Sequence, residues 1–160
     1  MSNFRIEEKN AFRLVGYKTQ LSEIDKIYNP QYSEPKTEFF KGLLQNGQMA
    51  SLRPLAESKY GYAAVTLEDN KTFYYAGVNT KQPLIDGTNE VLFPKGEYLV
   101  LTKSGGLSRL SFDQLEEQAF LEILTEDSEF EYCGTPIAEI LLNGNPMDCE
   151  VEVWIPVKHK

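Results

Sequence analysis

The order of hydrophobic patterns along the chain repeats once, and this repetition constrains the fold more than any other feature. Residues 4–21 alternate in the manner of strands, and the segment KTEFFKGLLQNG (36–47) places its apolar residues on one helical stripe. Two strand-like segments follow, KYGYAAVTLE and KTFYYAGVNT, and the intervening Asp69-Asn70 is typical of a tight hairpin turn. After a loop, the same order of patterns begins again.

The second half opens with a strand region, EVLFPKGEYLVLTKSG, and continues with SFDQLEEQAFLEILTED (111–127), an amphipathic segment that predicts a helix. Ser111 and Gln114 have the spacing of a capping box, and Glu116 is interpreted as a surface residue of this helix. Two further strands, FEYCGTPIAEILLN and CEVEVWIPVK, complete the repeat.

These patterns predict an α+β fold made of a duplicated strand-helix-strand-strand unit. We expect an antiparallel sheet with two main helices on one side, and a concave surface with a ligand cleft on the other. The predicted domain covers residues 1–160, with internal repeats at approximately 1–81 and 89–160.

The composition of the chain excludes several classes of protein. Its 160 residues, 41% hydrophobic and 25% charged, are typical of a globular domain. No apolar run approaches the roughly 18 residues of a spanning helix, and the N-terminal segment has no apolar signal region. We therefore expect a cytoplasmic protein with no membrane partner. The net charge of −8 argues against direct binding of nucleic acid.

The cysteines and the histidine predict neither a metal site nor a cofactor. Cys133 and Cys149 lack a Cys-x-x-Cys spacing, and we interpret them as buried thiols and not as a disulfide or a reactive pair. The only histidine, His159, is one residue from the end of the sequence, which argues against a nucleophilic triad. Gly105-Gly106 lacks the spacing of a phosphate loop. We expect no metal ion and no cofactor.

Glu139 interrupts an apolar strand, in which Ile137 and Leu141 are its neighbours on the same face. A carboxylate in such a place is costly unless it is paired, protonated or directed into a cavity. The site interpretation is that Glu139 faces a ligand cavity. The alternative is a glutamate at a partly wet sheet surface, or one paired with a buried lysine or with Arg13 or Arg53.

The last strand, CEVEVWIPVK, alternates strictly. One face carries its aliphatic residues and is expected to meet the helices, whereas the other carries Glu150, Glu152 and Trp154. If the last two strands pair, Glu152 and Trp154 come from the strand next to Glu139, and we expect all three to share one surface. Two carboxylates beside aromatic rings would attract a cation. The alternative for Glu152 is an exposed strand glutamate.

Five segments, in their order and spacing, make the chain resemble the GyrI-like small-molecule-binding domain, also called the AraC-type effector-binding domain. The resemblance covers nearly the whole chain and identifies it as a stand-alone, single-domain member. The segments that carry it are FRLVGY (12–17), FYYAGV (73–78), FPKGEY (93–98), PIAEI (136–140) and VEVWIPV (151–157).

The resemblance implies a ligand site. In this family two strand-helix-strand-strand units of the SHS2 type are related by a pseudo-twofold axis, and ligand sits in an aromatic cleft around a buried glutamate. By position, Glu139 is similar to the central glutamate that meets cationic ligands, Glu152 to a second carboxylate and Trp154 to an aromatic wall. The remaining aromatic candidates for the ligand-binding site are Tyr74, Tyr98 and Phe93.

The resemblance favours a sensor or sequestering module that binds small, planar, apolar and cationic molecules. One alternative is a hydrolase that adds water to the strained cyclopropane of DNA-alkylating compounds, with Glu139 or Glu152 as general base. A second alternative is a protein-interaction module whose partner is a topoisomerase or a transcription regulator. A homodimer is a further option for the partner.

Overall fold

The computed structural model describes residues 3–134 and 136–160. Met1, Ser2 and Thr135 lie outside the described residues, and so does the predicted start of the first repeat at residue 1. Within the described ranges the chain forms nine strands and three α-helices, which confirms the predicted α+β class with an antiparallel sheet.

The elements follow one another in the order that the sequence predicts. In chain order the strands are β1 (Asn3–Lys9), β2 (Phe12–Ser22), β3 (Gly61–Glu68), β4 (Lys71–Asn79), β5 (Asn89–Phe93), β6 (Gly96–Ser104), β7 (Phe130–Tyr132), β8 (Ile137–Leu141) and β9 (Glu150–His159). The helices are α1 (Ser33–Gln45), α2 (Gln48–Leu52) and α3 (Ser108–Gln118), with short helical turns at Pro30–Tyr32, Arg53–Leu55 and Ala119–Ile123.

Both long helices begin earlier than the sequence predicts. Helix α1 starts at Ser33 instead of residue 36, because Pro35 is tolerated in a first helical turn, where an N–H group has no intrahelical acceptor. Helix α3 starts at Ser108 after Leu107, which offers no side-chain cap. The predicted capping box at Ser111 is therefore wrong, since that residue lies inside the helix.

The strand order mirrors the duplication. From one edge to the other it reads β1-β6-β9-β8-β3-β4-β2-β5, with β7 paired beside the end of β9. The six central strands, β6-β9-β8 and β3-β4-β2, place the equivalent strands of the two halves in reversed order. The strand that leads each half, β1 or β5, lies at the edge of the other half. The two halves are therefore joined along the centre and also at both edges.

Two short connections force this sheet to curl. Asn10 and Ala11 join β1 to β2, and Pro94 and Lys95 join β5 to β6, although six strand positions separate the members of each pair. In a flat sheet that separation would be about 29 Å, whereas two linking residues span at most about 11 Å. The two edges therefore approach each other, and one face of the sheet becomes concave.

Aromatic side chains fill the concave face. Phe12 of β2 stacks on Phe93 of β5 with ring centroids 4.4 Å apart, and it meets Trp154 of β9 edge-on at 5.4 Å. Together with Tyr62 and Tyr98 they form what we call the concave aromatic cluster. Because β2 and β9 are four strand positions apart, their contact is direct evidence of the curl.

The helices cover the opposite face, which we call the helix-side face. Helix α3 packs Phe112 and Leu115 against Val153 and the other aliphatic residues of β9. Helices α1 and α2 cover β2 and β4 through Leu43 and Leu52. The predicted contact between the aliphatic face of the last strand and the helices is confirmed.

The turn between β3 and β4 has the predicted composition and conformation. Asp69 and Asn70 have φ angles of 52° and 64°, both in the left-handed region that two-residue hairpin turns require. The turn sets the register in which Glu68 faces Lys71, and from there the ladder continues to Tyr62 opposite Gly77. The predicted hairpin is confirmed.

Two paired glycines allow β2 and β4 to approach closely. Gly16 lies opposite Gly77 in the antiparallel ladder. A Cβ atom on Gly16 would overlap the carbonyl oxygen of Ala76, and one on Gly77 would overlap the carbonyl oxygen of Val15. Since both clashes involve backbone atoms, no side-chain rotation relieves them.

This packing predicts a contrast among glycine substitutions. We expect Gly16→Ala and Gly77→Ala each to lower the free energy of unfolding by at least about 2 kcal/mol, because the ladder must shift. Gly42→Ala in α1 is the matched control: its new methyl group would meet no atom within 4 Å, so we expect a gain of about 0.5–1 kcal/mol from helix propensity. Urea unfolding measures all three, and equal stabilities would contradict the prediction.

Candidate functional site

Glu139 lies at the centre of the sheet on the helix-side face. Its strand β8 pairs with β9 and β3, so its cross-strand neighbours are Val153 and Ala63. The residue is only 1% exposed. A carboxylate in such a place has lost its hydration, and only charges and hydrogen-bond donors of the protein can stabilise it.

Donors from three elements surround the Glu139 carboxylate. Arg109 of α3 forms a bidentate pair, in which Nη1 donates to Oε1 at 3.0 Å and Nη2 to Oε2 at 2.8 Å. Lys36 of α1 donates from Nζ to Oε2 at 3.0 Å. The hydroxyl of Tyr74 in β4 donates to Oε1 at 2.8 Å. Of the alternatives that the sequence left open, pairing with a buried lysine is therefore the one found.

Lys36 and Arg109 occupy similar positions in the two halves of the chain. Each lies near the N-terminal end of its helix, three residues before a phenylalanine, Phe39 or Phe112, that packs towards the sheet. The helix dipole disfavours a cation at this end, because the unpaired N–H groups carry partial positive charge. Burial of Lys36, whose side chain is 3% exposed, adds to the cost. The contacts with Glu139 offset both.

A second carboxyl group, that of Glu116 in α3, lies in the same interior. Glu116 is 1% exposed, and its Oε1 accepts a hydrogen bond from Lys36 Nζ at 3.4 Å. Its Oε2 lies 3.5 Å from Arg109 Nη2, and among the described residues this oxygen accepts no hydrogen bond. The expectation that Glu116 is a surface residue is wrong, because its place on α3 turns it towards the sheet.

The charges of the side chains around Glu139 and Glu116 balance only if one carboxyl group is neutral. Arg109 also forms an ion pair with Asp113, whose Oδ1 lies 2.7 Å from Nη2. The positive charges of Lys36 and Arg109 are then balanced by those of Glu139 and Asp113, so a charge on Glu116 would be in excess. We call this group the Glu139 cluster; its members are Lys36, Tyr74, Arg109, Asp113, Glu116 and Glu139.

Burial and neighbouring charges move the two carboxyl pKa values in opposite directions. Burial alone would raise the pKa of Glu139, but the charges of Arg109 and Lys36 outweigh it and hold that pKa well below its usual range. Burial raises the pKa of Glu116 well above its usual range, and the charge of Glu139 adds to the effect. These directions agree with the charge balance, in which Glu139 holds the negative charge and Glu116 holds the proton.

The predicted site residues divide between the two faces of the sheet. Glu139 and Tyr74 lie on the helix-side face, whereas Glu152 and Trp154 lie on the concave face. The expectation that Glu139 shares a surface with Glu152 and Trp154 is corrected by the register: Glu139 faces Val153, so the residues on either side of Val153 point the other way. The remaining candidates, Tyr98 and Phe93, belong to the concave aromatic cluster.

On the concave face, Trp154 is held between protein groups of opposite charge. Its indole Nε1 donates to Glu152 Oε1 at 2.8 Å, and the Lys9 ammonium lies 3.8 Å from the centroid of its ring. Glu152 Oε2 also lies 3.5 Å from Arg5 Nη2. Glu152 is therefore neither a bare surface glutamate nor a partner of Glu139.

Two cavities lie near the concave residues. One, of about 410 Å³, is lined by the ends of β6 and β9 and includes Glu152 and Glu150. The other, of about 600 Å³, includes Phe93, Phe12 and Arg13. Neither of these two cavities is lined by Glu139, whose surroundings are closed by its own partners.

Sequence reasoning missed four members of the Glu139 cluster, and two of the four had left a signal; the four are Lys36, Arg109, Asp113 and Glu116. Lys36 precedes Phe39 by three residues and Leu43 by seven, which puts it on the apolar stripe of α1. Glu116 follows Phe112 by four residues, which puts it on the apolar stripe of α3. A charged residue on an apolar stripe requires a buried partner. Arg109 lies outside the predicted helix and gave no comparable signal.

Within residues 3–134 and 136–160, no group of three or more His, Cys, Asp or Glu side chains could hold a metal ion. In the same ranges, no helix is long and apolar enough to cross a membrane. Cys133 and Cys149 are both in the thiol form; Cys149 is buried, as the sequence predicts, whereas Cys133 is only partly buried.

Comparison with known proteins identifies relatives by sequence pattern. The profile of the Cass2 family, described as "Integron-associated effector binding protein", matches residues 5–157. This match confirms the resemblance to the GyrI-like domain. A comparison with curated proteins finds no match.

Several solved structures share the fold at low sequence identity. The structure of SAV2435 bound to tetraphenylphosphonium has a TM-score of 0.75 at 16% identity, over 98% of this chain and 94% of that one. The integron cassette protein VCH_CASS2 of Vibrio cholerae has a TM-score of 0.66 at 16% identity, covering 97% and 95%. The EcmrR C-terminal domain has a TM-score of 0.64 at 10% identity, covering 100% and 99%.

The protonated state of Glu116 predicts a pH dependence of stability. The unfolded chain releases this proton above the ordinary pKa of 4.5, whereas the folded protein keeps it. The contribution is therefore fully present below pH 4.5 and is lost as pH rises towards the folded pKa, at up to about 1.4 kcal/mol per pH unit. We expect Glu116→Gln, which imitates the protonated group, to remove this decline between pH 5 and 8.

Urea unfolding of the wild type and the variant across that pH range measures the difference. Glu117→Gln is the matched control, because Glu117 is the exposed neighbour on the same helix. The free energy of unfolding of the control should change with pH as that of the wild type does. If Glu116→Gln shows the same decline with pH as both, Glu116 does not hold the proton.

Proposed function

The chain belongs to the Cass2 family of integron-associated effector binding proteins, and from this we propose that it binds a small aromatic cation with Glu139 as the carboxylate that meets the positive charge. The binding position is the helix seam, by which we mean the contact between α1 and α3 above β8. A ligand there replaces the ammonium group of Lys36.

The observation that carries this proposal is the environment of Lys36. Its ammonium lies 3.0 Å from a Glu139 oxygen, 3.4 Å from a Glu116 oxygen and 5.3 Å from the centroid of the Tyr74 ring. Carboxylates combined with an aromatic face are the groups by which proteins recognise organic cations. Lys36 therefore occupies a cation-binding arrangement as an internal substitute for a ligand.

Lys36 is the group that leaves and Arg109 the group that stays. Arg109 is held by a bidentate pair with Glu139 and by Asp113 on its own helix. Lys36 has a single hydrogen bond to Glu139 and one to Glu116, on a flexible side chain near the end of α1. An entering cation restores the charge balance that departure of the ammonium would disturb.

The nature of the ligand is suggested by a structural relative. SAV2435 was solved bound to tetraphenylphosphonium, a phosphonium cation surrounded by phenyl rings. Phe39 packs edge-on against Tyr74 with ring centroids 6.3 Å apart, so aromatic surface lies next to the carboxylate once the helix seam opens. We therefore use tetraphenylphosphonium as the probe for aromatic, apolar cations.

Binding is favoured over hydrolysis by the state of Glu139. A general base for water needs an available oxygen and a pKa near the working pH. The oxygens of Glu139 already accept hydrogen bonds from Arg109, Lys36 and Tyr74, and its pKa is held well below the usual range by Arg109 and Lys36 against the opposing effect of burial. A strongly paired carboxylate is suited to holding a cation.

The first prediction of this proposal concerns Glu139→Gln. We expect this change to weaken tetraphenylphosphonium binding at least about tenfold, because the ligand loses its counter-charge while Lys36 and Arg109 keep theirs. Isothermal titration calorimetry measures the dissociation constant, and circular dichroism checks the fold. Glu117→Gln, an exposed change on α3, is the control.

Equal affinities of the Glu139→Gln and Glu117→Gln variants would remove Glu139 from the site. The fluorescence of Trp154 then tells where the ligand lies, because this side chain is on the opposite face of the sheet. Strong quenching by the bound ligand would move the proposed site to Glu152, Trp154, Tyr98 and Phe93, as first expected from the sequence.

The second prediction concerns Lys36→Met, which keeps the length of the side chain and removes its charge. We expect this variant to bind tetraphenylphosphonium at least about tenfold more tightly than the wild type, because no internal cation competes for Glu139. Lys41→Met changes an exposed lysine of the same helix and should leave the affinity unaltered. Weaker binding after Lys36→Met would show that the ammonium supports the site instead of occupying it.

A further inference from the structure

We propose that the helix seam accepts ligands with two positive charges, and that Glu116 is the residue that admits the second charge by releasing its proton. This inference rests on the proposed function, since it concerns the same site. It adds two points to the proposed function. The ligands are compact aromatic dications, and their binding is coupled to the release of a proton.

The first observation is the position of the second carboxyl oxygen of Glu116. Oε2 of this residue is buried and, among the described residues, accepts no hydrogen bond. An ionised carboxylate in that position would add a second buried negative charge beside that of Glu139. The group is therefore a neutral acid in the resting protein, and its O–H donates to the Glu139 carboxylate.

The second observation is that both carboxyl groups border the same space. Oε1 of Glu116 and Oε2 of Glu139 are within 3.4 Å and 3.0 Å of the single Nζ atom of Lys36. When this ammonium leaves, the vacated volume is flanked by two carboxyl groups. Arg109 remains paired with Asp113 and Glu139, so it does not take the place of Lys36.

The charges around Glu116 agree with this assignment. The carboxyl group of Glu116 contacts the cations Lys36 and Arg109, and the negative charge of Glu139 lies beside it. Burial is the main cause of the raised pKa of Glu116. A cation placed beside this carboxyl group stabilises its ionised form and therefore lowers that pKa. The titratable and charged groups that face Glu116 from the surrounding elements are Tyr28, Lys36, Tyr74, Arg109, Asp113 and Glu139.

The charge balance distinguishes one ligand charge from two. A monocation that replaces the Lys36 ammonium leaves the charge of the site unchanged, and Glu116 keeps its proton. A dication brings one charge more, and the site stays balanced if the O–H bond of Glu116 breaks and its proton passes to the buffer. One proton is therefore released for each dication bound and none for each monocation.

Methyl viologen and N-methyl-4-phenylpyridinium provide a matched pair of probes. Both are two joined aromatic rings of similar shape, with two positive charges in the first and one in the second. Isothermal titration of the full chain at neutral pH, in buffers of different ionisation enthalpy, gives the affinity and the number of protons released. The variants are Glu116→Gln and the exposed control Glu117→Gln.

We expect the wild type and Glu117→Gln to bind methyl viologen about tenfold more tightly than the monocation, with release of about one proton. In Glu116→Gln the preference for the dication over the monocation and the release of a proton should both be lost. Equal affinities without proton release in the wild type would overturn this inference alone. Failure of both probes to bind the wild type would overturn it together with the proposed function.

Discussion

The bidentate pair between Arg109 and Glu139 is the interaction on which the centre of the structure depends. Glu139 is on β8, at the middle of the sheet, and its carboxylate also receives Lys36 from α1 and Tyr74 from β4. These contacts bind both long helices to the sheet at one point. Removal of one partner would leave an uncompensated buried charge, which costs about 3–5 kcal/mol in comparable cases. The helices are therefore held by electrostatics where apolar packing is interrupted.

Much of the fold could be predicted because its signals are local. The alternation of β9 identified the face that meets α3, and the Asp69-Asn70 pair identified the hairpin turn. The duplication was visible as a repeated order of patterns, and the mirrored strand order agrees with it. The curl of the sheet was less accessible, because it follows from two-residue connections between distant strands and not from any one strand.

The site could be predicted only in part, because its composition depends on register. Glu139 was identified from its position in an apolar strand, yet a one-residue difference in the pairing of β8 with β9 decides whether it lies beside Glu152 or on the opposite face. The charged partners of Glu139, Lys36 and Arg109, come from helices whose rotation follows from packing. Lys36 and Glu116 interrupt apolar stripes, so each signals a buried partner, but sequence spacing alone does not say that the two side chains meet.

The cost of the Glu139 cluster is itself an argument for a ligand role. Replacement of buried ion pairs by apolar residues of similar size is often neutral or stabilising, so such pairs are weak devices for stability. Here the cations also stand at the unfavourable ends of their helices, and one carboxyl oxygen of Glu116 accepts no hydrogen bond among the described residues. A ligand that brings its own positive charge and aromatic surface can replace Lys36 while keeping the charge balance. Because the Glu139 cluster adds little to stability, it is well suited to the exchange of the Lys36 ammonium for a ligand.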